Sequence, residues 1–191
     1  MHTIDQYIKI FKNIIPYEGC DSIIAHVNDW EKHTWYNHTE QKYITTPQDP
    51  SVSFINNKTP VHQTLSQILH DITKIYFERL DYEPHAVSLG NFRVNRYDSS
   101  DSQELHWHHD HIKSLFDGNK RGIPIFSYIM ALNDDYEGGD LIFKLNGVNG
   151  EETVVSLTKG DIVVWPSLFI FYHCITPVTK GTRYSIVNWS Y

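Results

Sequence analysis

The sequence predicts a mainly β fold with flanking helices: a double-sheet sandwich or jelly-roll barrel, with N-terminal helices packed on one sheet. Apolar residues at helical spacing in the first half, strand-like runs in the second half and glycine turns between those runs support this prediction. The 191 residues suit one domain. We therefore expect a single domain over 1–191, with helical support over 1–85 and a β core over 86–191.

Three helices are predicted in the first half. The first is expected to begin at a Thr3 cap and to end before Pro16, because the apolar residues between them follow one helical face. The second is expected over about 21–30. The third, over 60–80, has the strongest signal, since Thr59 can cap it, a proline suits its first turn and its apolar residues form one stripe.

Residues 36–58, between the second and third helices, are polar and contain Pro47 and Pro50. We expect a loop here. A loop of this length is usually functional or mobile. The sequence does not distinguish a lid over a site from a plain connector.

Eight short strands are predicted in the second half, where runs of β-branched and aromatic residues alternate with turns such as Gly138-Gly139. They cover residues 86–97, 105–108, 123–132, 140–145, 153–157, 161–165, 169–175 and 183–190. Many short, closely spaced strands are typical of a double-sheet barrel.

The charge balance argues against two classes of partner. Lys and Arg number 16 against 23 Asp and Glu, a formal net charge of −7, whereas nucleic-acid and acidic-membrane binders need a basic surface. The start of the chain lacks the basic stretch of a secretion signal. Cys20 and Cys174 are too few for a disulfide framework or a Cys-rich zinc site. We expect a cytoplasmic protein with no nucleic-acid or membrane partner, and the sequence predicts no oligomeric state.

Four of the twelve histidines lie in the segment 106–111. Alternate residues of a strand share a face, so His108 and Asp110 are expected to point the same way near a strand end. His173 lies 65 residues after His108 on another predicted strand. Two histidines and one carboxylate on one side of a metal form the facial triad of non-haem Fe(II) oxygenases, which leaves three octahedral positions open.

Arg183 follows ten residues after His173 and, one strand over in a barrel, can point into the same cavity. A guanidinium offers a planar fork to a carboxylate, and burying it without an anion is costly. The full pattern favours an anionic ligand beside the metal over an exposed arginine paired with an acidic side chain.

Together these residues resemble the Fe(II)- and 2-oxoglutarate-dependent dioxygenases, and within them the prolyl 4-hydroxylase type. The resemblance covers about 90–191, and its motifs are specific in combination and order. They are His108-x-Asp110, His173, Arg183, YIMALN at 128–133, EGGDL at 137–141, KGD at 159–161 and Trp189.

The resemblance implies a double-stranded β-helix in which His108, Asp110 and His173 bind iron. It implies that Arg183 holds the distal carboxylate of 2-oxoglutarate, while the 2-oxo acid end of the cosubstrate chelates the metal. The other residues implied in cosubstrate binding are Tyr97, Ser185 and Trp189.

The sequence departs from the family at Ala131, where many members carry a tyrosine that helps to hold the distal carboxylate. Tyr128 has the opposite strand parity, so it should not replace that tyrosine. Either Ser127, Ser185 or a water compensates, or the cosubstrate pocket is looser than usual.

The implied activity is hydroxylation of an unactivated C–H bond by Fe(II), 2-oxoglutarate and O2, with ascorbate as a candidate reductant. A peptidyl proline is the first expected substrate, held in a cleft between the 36–58 loop and a substrate loop over 112–122. The same chemistry on a free amino acid or small metabolite is open. So are a cupin-like metal site that uses His106 and a non-catalytic β-helix that binds an anion or a partner.

Overall fold

The computed structural model describes residues 4–37, 39–81, 83, 87–110, 116–117, 120–121, 124–145, 147 and 149–191. The helices are α1 (Tyr17–His26) and α2 (Pro60–Arg79), with short 3-10 turns at Ile4–Tyr7 and Ser99–Asp101. The strands are β1 (Lys9–Phe11), β2 (Glu31–Lys32), β3 (Trp35–Asn37), β4 (Lys42–Ile44), β5 (Ser51–Phe54), β6 (Arg93–Asp98), β7 (Leu105–His108), β8 (Phe116–Asp117), β9 (Lys120–Arg121), β10 (Phe126–Ala131), β11 (Glu137–Gly138), β12 (Leu141–Lys144), β13 (Glu152–Val155), β14 (Ile162–Pro166), β15 (Tyr172–Ile175), β16 (Val178–Lys180) and β17 (Thr182–Ser190).

Two antiparallel sheets face each other. The larger has seven strands in the order β1-β14-β10-β17-β6-β5-β2, and the smaller has four in the order β13-β12-β15-β7. Their inner faces bury one apolar cluster, to which Ile129, Val163 and Val187 contribute from the larger sheet and Leu141 and Phe143 from the smaller. The predicted double-sheet, jelly-roll architecture is therefore confirmed.

Helix α2 packs on the outer face of the larger sheet. Its Leu69, Ile72 and Tyr76 are buried in one cluster with Tyr128 and Met130 of β10. Burying each large apolar side chain stabilises the fold by about 1.5–3 kcal/mol. Helix α1 joins the same cluster, so the prediction that N-terminal helices pack on one sheet is confirmed.

The eight predicted strands correspond to β6, β7, β10, β12, β13, β14, β15 and β17. The bounds of β7 are as predicted, and the ends of the other seven are displaced. The largest displacement is at β6, which begins only at Arg93. Helix α2 also forms as predicted, and its Thr59 cap accepts a hydrogen bond from the His62 backbone N–H at 3.3 Å.

The predicted first helix is wrong. After the 3-10 turn at Ile4–Tyr7, β1 pairs with β14 at the edge of the larger sheet. Ile10 contributes to the cluster between the sheets and Phe11 to the cluster under the helices, as alternation along a strand requires. Pairing with the sheet edge thus overrides the helical spacing of the apolar residues. Thr3, the expected cap, lies outside the described residues.

Residues 1–85 are helical only in part. The helix expected at 21–30 lies earlier, over Tyr17–His26, and β2 and β5 join the larger sheet. The expected loop at 36–58 contains the end of a β3–β4 hairpin. Of the expected substrate loop at 112–122, only the paired strands β8 and β9 lie within the described residues. Neither helix in the described ranges has the length and apolar character needed to cross a bilayer.

Candidate metal centre

Three predicted metal donors meet beside the smaller sheet. Strand β7 pairs with β15 so that His108 lies opposite His173. The ligand atoms of His108, Asp110 and His173 all lie within 4.8 Å of one another. His108 Nε2 is 3.6 Å from Asp110 Oδ1, and His173 Nε2 is 3.8 Å from Asp110 Oδ2. Two imidazoles and one carboxylate at these separations can hold one divalent ion.

Backbone carbonyls fix both imidazole rings. His108 Nδ1 is 2.7 Å from the carbonyl oxygen of His106, and His173 Nδ1 is 2.9 Å from that of Phe171. A carbonyl only accepts, so each Nδ1 carries the proton and donates it. The Nε2 lone pair of each ring is then left for a metal, the arrangement that metal-binding histidines use.

The protonation states suit a cation. Burial lowers the pKa of His108 to about 4, and the neighbouring His173 adds to the effect. Burial raises the pKa of Asp110, but the two imidazoles and hydrogen bonds from Ser127 and Trp189 outweigh it, so the net pKa lies below its usual value. At neutral pH the His108 ring is therefore neutral and the Asp110 carboxylate is ionised, which are the forms that bind a metal.

A hydrogen-bond relay orients the Asp110 carboxylate. Ser127 Oγ of β10 donates to Asp110 Oδ2 at 2.7 Å. Ser167 Oγ lies 2.7 Å from Ser127 Oγ, and it must be the donor because the Ser127 proton is already used. The Trp189 side chain also donates to Asp110. Such outer partners hold a ligand in place and tune its basicity.

His106 does not join the three donors, so the cupin-like alternative is wrong in its choice of ligand. The His106 side chain is 58% exposed, and its Nδ1 lies 3.5 Å from Glu104 Oε1. The pairing of β7 with β15 shifts register between His173 and Ile175. Such an irregularity breaks the strict alternation on which a shared face for His106 and His108 depended.

Arg183 of β17 is buried, with 3% of its surface exposed. Its Nη1 donates to Ser185 Oγ at 2.8 Å, and its guanidinium carbon lies 5.1 Å from the Tyr97 ring centroid and 5.9 Å from that of Tyr136. Within the described part of the chain, its Nε has no hydrogen-bond partner and no ion pair with a carboxylate is present. A buried guanidinium in this state favours an anionic ligand.

Two neighbours shape the space around Arg183. Tyr97 of β6 lies opposite it in the ladder and accepts a hydrogen bond from Asn95 Nδ2 at 3.1 Å. Gly139 has a φ of +66°, and a Cβ there would lie 2.8 Å from Arg183 Cδ. A glycine is therefore needed at this position, both for the backbone conformation and for the close approach of the arginine side chain.

The structure confirms that Tyr128 does not replace the tyrosine absent at Ala131. Tyr128 Oη faces helix α2 and shares a hydrogen bond of 2.7 Å with Thr73 Oγ1. Ala131 lies opposite Ser185 in the β10–β17 ladder. Two serines were considered as compensating for the missing tyrosine. Ser185 accepts a hydrogen bond from Arg183, whereas Ser127 donates its proton to Asp110.

The metal donors and Arg183 line different cavities. The three donors, Tyr97 and Trp189 line a cavity of about 20 Å³. Arg183 and Gly139 line a neighbouring cavity of about 200 Å³. Tyr97 lines the first cavity, and its ring centroid lies 5.1 Å from the Arg183 guanidinium carbon. A larger cavity of about 760 Å³ is bounded by α1, β5 and the start of α2, and none of the donors lines it.

Sequence reasoning missed several neighbours of the site. Arg93 and Asn95 precede Tyr97 at a spacing of two, so strand alternation alone could have placed all three on one face. The sequence predicts a turn and a family motif at Gly139, but not its close approach to Arg183. Trp35, whose ring centroid lies 5.8 Å from that of His108, comes from the β3–β4 hairpin. No local pattern signals that contact, because it depends on how a distant hairpin folds back.

The family model described as the 2OG-Fe(II) oxygenase superfamily matches residues 92–191, which contain the three donors and Arg183. The chain belongs to the 2OG-Fe(II) oxygenase superfamily. Membership of the superfamily implies Fe(II), 2-oxoglutarate and O2 as the reaction partners.

Curated relatives of this oxygenase include PKHD-type hydroxylases. One from Synechococcus sp. (strain CC9605) is 35% identical over 91 residues, which cover 48% of this chain and 38% of the relative. PKHD-type hydroxylase YbiX of Escherichia coli is 32% identical over 115 residues, which cover 56% and 44%. The chain thus spans less than half the length of these relatives.

Solved structures share the fold of this oxygenase across its length. A viral collagen prolyl hydroxylase from Paramecium Bursaria Chlorella virus-1 superposes with a TM-score of 0.68 at 13% identity, covering 99% of this chain and 98% of that one. A prolyl-4-hydroxylase of Pseudomonas putida gives 0.65 at 16% identity, covering 96% and 91%. The likeness confirms the double-stranded β-helix fold.

Proposed function

We propose that this chain is an Fe(II)- and 2-oxoglutarate-dependent hydroxylase that works as one domain. The observation that carries the proposal is the convergence of His108, Asp110 and His173 with both imidazole Nδ1 atoms bound to backbone carbonyls. This leaves two Nε2 lone pairs and one ionised carboxylate for a single ion, and it leaves half of an octahedral sphere for other ligands.

In this proposal His108, Asp110 and His173 hold Fe(II). When bound, Fe(II) with 2-oxoglutarate and O2 supplies the oxidising power that places a hydroxyl group on an unactivated C–H bond. The protein's own part is to orient the donors through the carbonyls of His106 and Phe171 and through Ser127, so that the three groups already lie close together.

Arg183 is proposed to pair with the distal carboxylate of 2-oxoglutarate. Its burial without a carboxylate among the described residues supports this role. Ser185 Oγ, 2.8 Å from Arg183 Nη1, can donate its proton to the same carboxylate. Tyr97 contacts Arg183 and lines the cavity of the three donors, where its hydroxyl is proposed to donate to the cosubstrate. Trp189 lines the same cavity.

The proposed substrate is a peptidyl proline. The relatives described above are PKHD-type hydroxylases, and a solved structure with a TM-score of 0.68 is a prolyl hydroxylase from Trichoplax adhaerens in complex with a peptide fragment. A free amino acid or small metabolite is the second candidate class. Ascorbate is proposed as the reductant that keeps the iron ferrous between turnovers.

The test is release of succinate from 2-oxoglutarate by the full chain with Fe(II), ascorbate and a panel of proline peptides and amino acids. His173→Ala should abolish release, because two remaining donors hold the metal poorly. Arg183→Ala should raise the KM for 2-oxoglutarate about 10–100-fold, the equivalent of losing a hydrogen bond to a charged group. His26→Ala, an exposed histidine of α1, is the control. Succinate release that survives His173→Ala would contradict the proposal.

A further inference from the structure

A second arginine, Arg93, lies at the metal centre. It is the first residue of β6, two positions before Asn95, so both side chains turn inward from the larger sheet. Arg93 lines the cavity of His108 and Asp110. Its guanidinium carbon lies 5.1 Å from the centroid of the Trp189 ring, the same ring whose N–H donates to Asp110.

The Arg93 guanidinium is held in place but not neutralised. Its Nε donates to Asn95 Oδ1 at 3.0 Å, and no described residue accepts a hydrogen bond from its terminal amino groups. Among the side chains that the structure describes, no carboxylate forms an ion pair with it. Burial lowers the pKa of Arg93, whereas its electrostatic interactions with Tyr97 and Asp110 raise it. An arginine side chain keeps its charge in proteins.

Arg93 is separate from Arg183, the residue proposed to hold the distal carboxylate of the cosubstrate. In the β6–β17 ladder, Arg93 lies opposite Val187, whereas Arg183 lies opposite Tyr97. These two rungs are four residues apart, or about 13 Å at the usual rise of a strand. The two guanidinium groups also line different cavities. Arg93 is therefore a cation that the proposed binding of the distal carboxylate by Arg183 does not use.

Aromatic rings lie against Arg93 and against the neighbouring His108. Trp189 lies under Arg93, and Trp35 of β3 packs edge-on to His108 with a centroid distance of 5.8 Å. His33 packs against Trp35, and burial together with the charge of Arg93 lowers its pKa to about 4, so it adds no positive charge at neutral pH. A molecule beside the metal would thus meet one fixed cation and apolar ring surfaces.

We propose that Arg93 binds a carboxylate of the substrate, so that the substrate class is an amino acid, free or within a peptide, that carries a carboxylate close to the hydroxylated carbon. The inference rests on the proposed oxygenase function and makes its substrate more specific. No described residue accepts a hydrogen bond from the two terminal amino groups of Arg93, which can make a two-point contact that fixes orientation as well as position. The carboxylate comes either from a free amino acid or from an acidic neighbour in a peptide.

The test compares compounds that differ only in the carboxylate. One pair is L-proline and L-prolinamide, and the other is an N-acetylated proline peptide amide with Glu or Gln beside the proline. The wild-type protein should turn over the carboxylate member of one pair at least about tenfold better, as expected for a hydrogen-bonded charge pair. The pair that shows the preference identifies the source of the carboxylate.

Arg93→Gln should lose this preference and keep the wild-type KM for 2-oxoglutarate. Arg93→Lys keeps the charge without the planar fork, so it should show a reduced preference for the carboxylate. If Arg93→Gln does not fold, the preference of Arg93→Lys is the test, and an unchanged preference overturns the inference. Arg96→Gln is the matched control, because Arg96 lies on the same strand but packs over Trp30 and lies 3.5 Å from Asp98.

Binding of the same compounds without O2, followed by tryptophan fluorescence, separates this inference from the proposed function. Carboxylate-dependent binding that is lost in Arg93→Gln supports the inference even if no succinate forms, a result that would count against the oxygenase function alone. Equal binding to wild type and Arg93→Gln overturns it. An increased KM for 2-oxoglutarate with an unchanged carboxylate preference also overturns it, by assigning Arg93 to the cosubstrate.

Discussion

Asp110 depends on its neighbours more than either imidazole does. Each histidine needs one carbonyl to fix its ring, whereas the carboxylate has two oxygens that can rotate about the Cβ–Cγ bond. Ser127 and Trp189 both donate to it, and Ser167 in turn donates to Ser127. The orientation of the candidate metal ligand is thus set by residues of the larger sheet, across the barrel from β7.

Ser127→Ala should therefore weaken Fe(II) binding by about 10–100-fold, the usual effect of removing a group that orients a metal ligand. Titration of the protein with Fe(II) under nitrogen measures this. Ser53→Ala is a matched control, since Ser53 is also buried in the larger sheet but donates to the Asn28 carbonyl, far from the donors. Equal Fe(II) affinity in wild type and Ser127→Ala would show that the relay does not orient Asp110.

At the scale of single residues, the sequence predicts which side chains come together where their spacing and their chemistry indicate the same role. His108 and Asp110 share a short motif, and the geometry brings His173 to them as expected. Their role as metal ligands stays a prediction, as does that of Arg183. Trp35 was not predictable, because its approach to His108 depends on the path of the β3–β4 hairpin.

Among the elements, β10 contributes side chains to both faces of the larger sheet. Its Ser127 and Ile129 face the space between the sheets, whereas Tyr128 and Met130 face helix α2. Alternation along one strand thus allows a buried helix contact and a site contact to be neighbours in sequence. It also makes the two contacts separable by mutation.

Tyr128→Phe should lower the free energy of unfolding by about 1 kcal/mol, because it removes the hydrogen bond to Thr73 on α2. The KM for 2-oxoglutarate should not change, since the hydroxyl group faces the helix. Urea unfolding and succinate release measure the two effects, with Tyr43→Phe on an exposed hairpin position as control. A raised KM in Tyr128→Phe would place its hydroxyl group in the cosubstrate pocket.

The elements also show why the strands of the second half were predictable and β1 was not. Runs such as β10 and β14 are buried on both faces and carry their own apolar signal. The three residues of β1 form a strand because β14 offers an unpaired edge. Because β14 lies about 150 residues after β1 in the sequence, the residue pattern of the N-terminus alone cannot predict that the two strands pair.

For the molecule as a whole, Asp161 ties the N-terminal segment to the barrel. Its side chain is buried and accepts hydrogen bonds from Lys12 Nζ at 2.7 Å, from the Asn13 N–H at 3.0 Å and from the Thr158 N–H at 2.8 Å. Burial raises the pKa of Asp161, but these donors outweigh it, so the net pKa lies below the usual value. The folded state therefore favours the ionised carboxylate.

Asp161→Asn should lower the free energy of unfolding at pH 7 by about 2 kcal/mol, since it weakens hydrogen bonds to a charged acceptor. The unfolded chain takes up the Asp161 proton near pH 3.8 and the folded chain only below that, so stability from this group is lost as pH falls below about 3.8. The difference between variant and wild type should shrink there. Urea unfolding at pH 7 and at acid pH measures both, and a difference independent of pH would contradict this account.

The ladder that sets His108 opposite His173 joins segments 65 residues apart. Pairing over such a separation costs loop entropy and forms slowly compared with local structure. As the chain leaves the ribosome, His108 and Asp110 emerge first and must wait for β15 before the third donor exists. If these residues hold the proposed Fe(II), loading of the centre follows the pairing of β7 with β15, and a chain interrupted before His173 would carry only two of the three proposed donors.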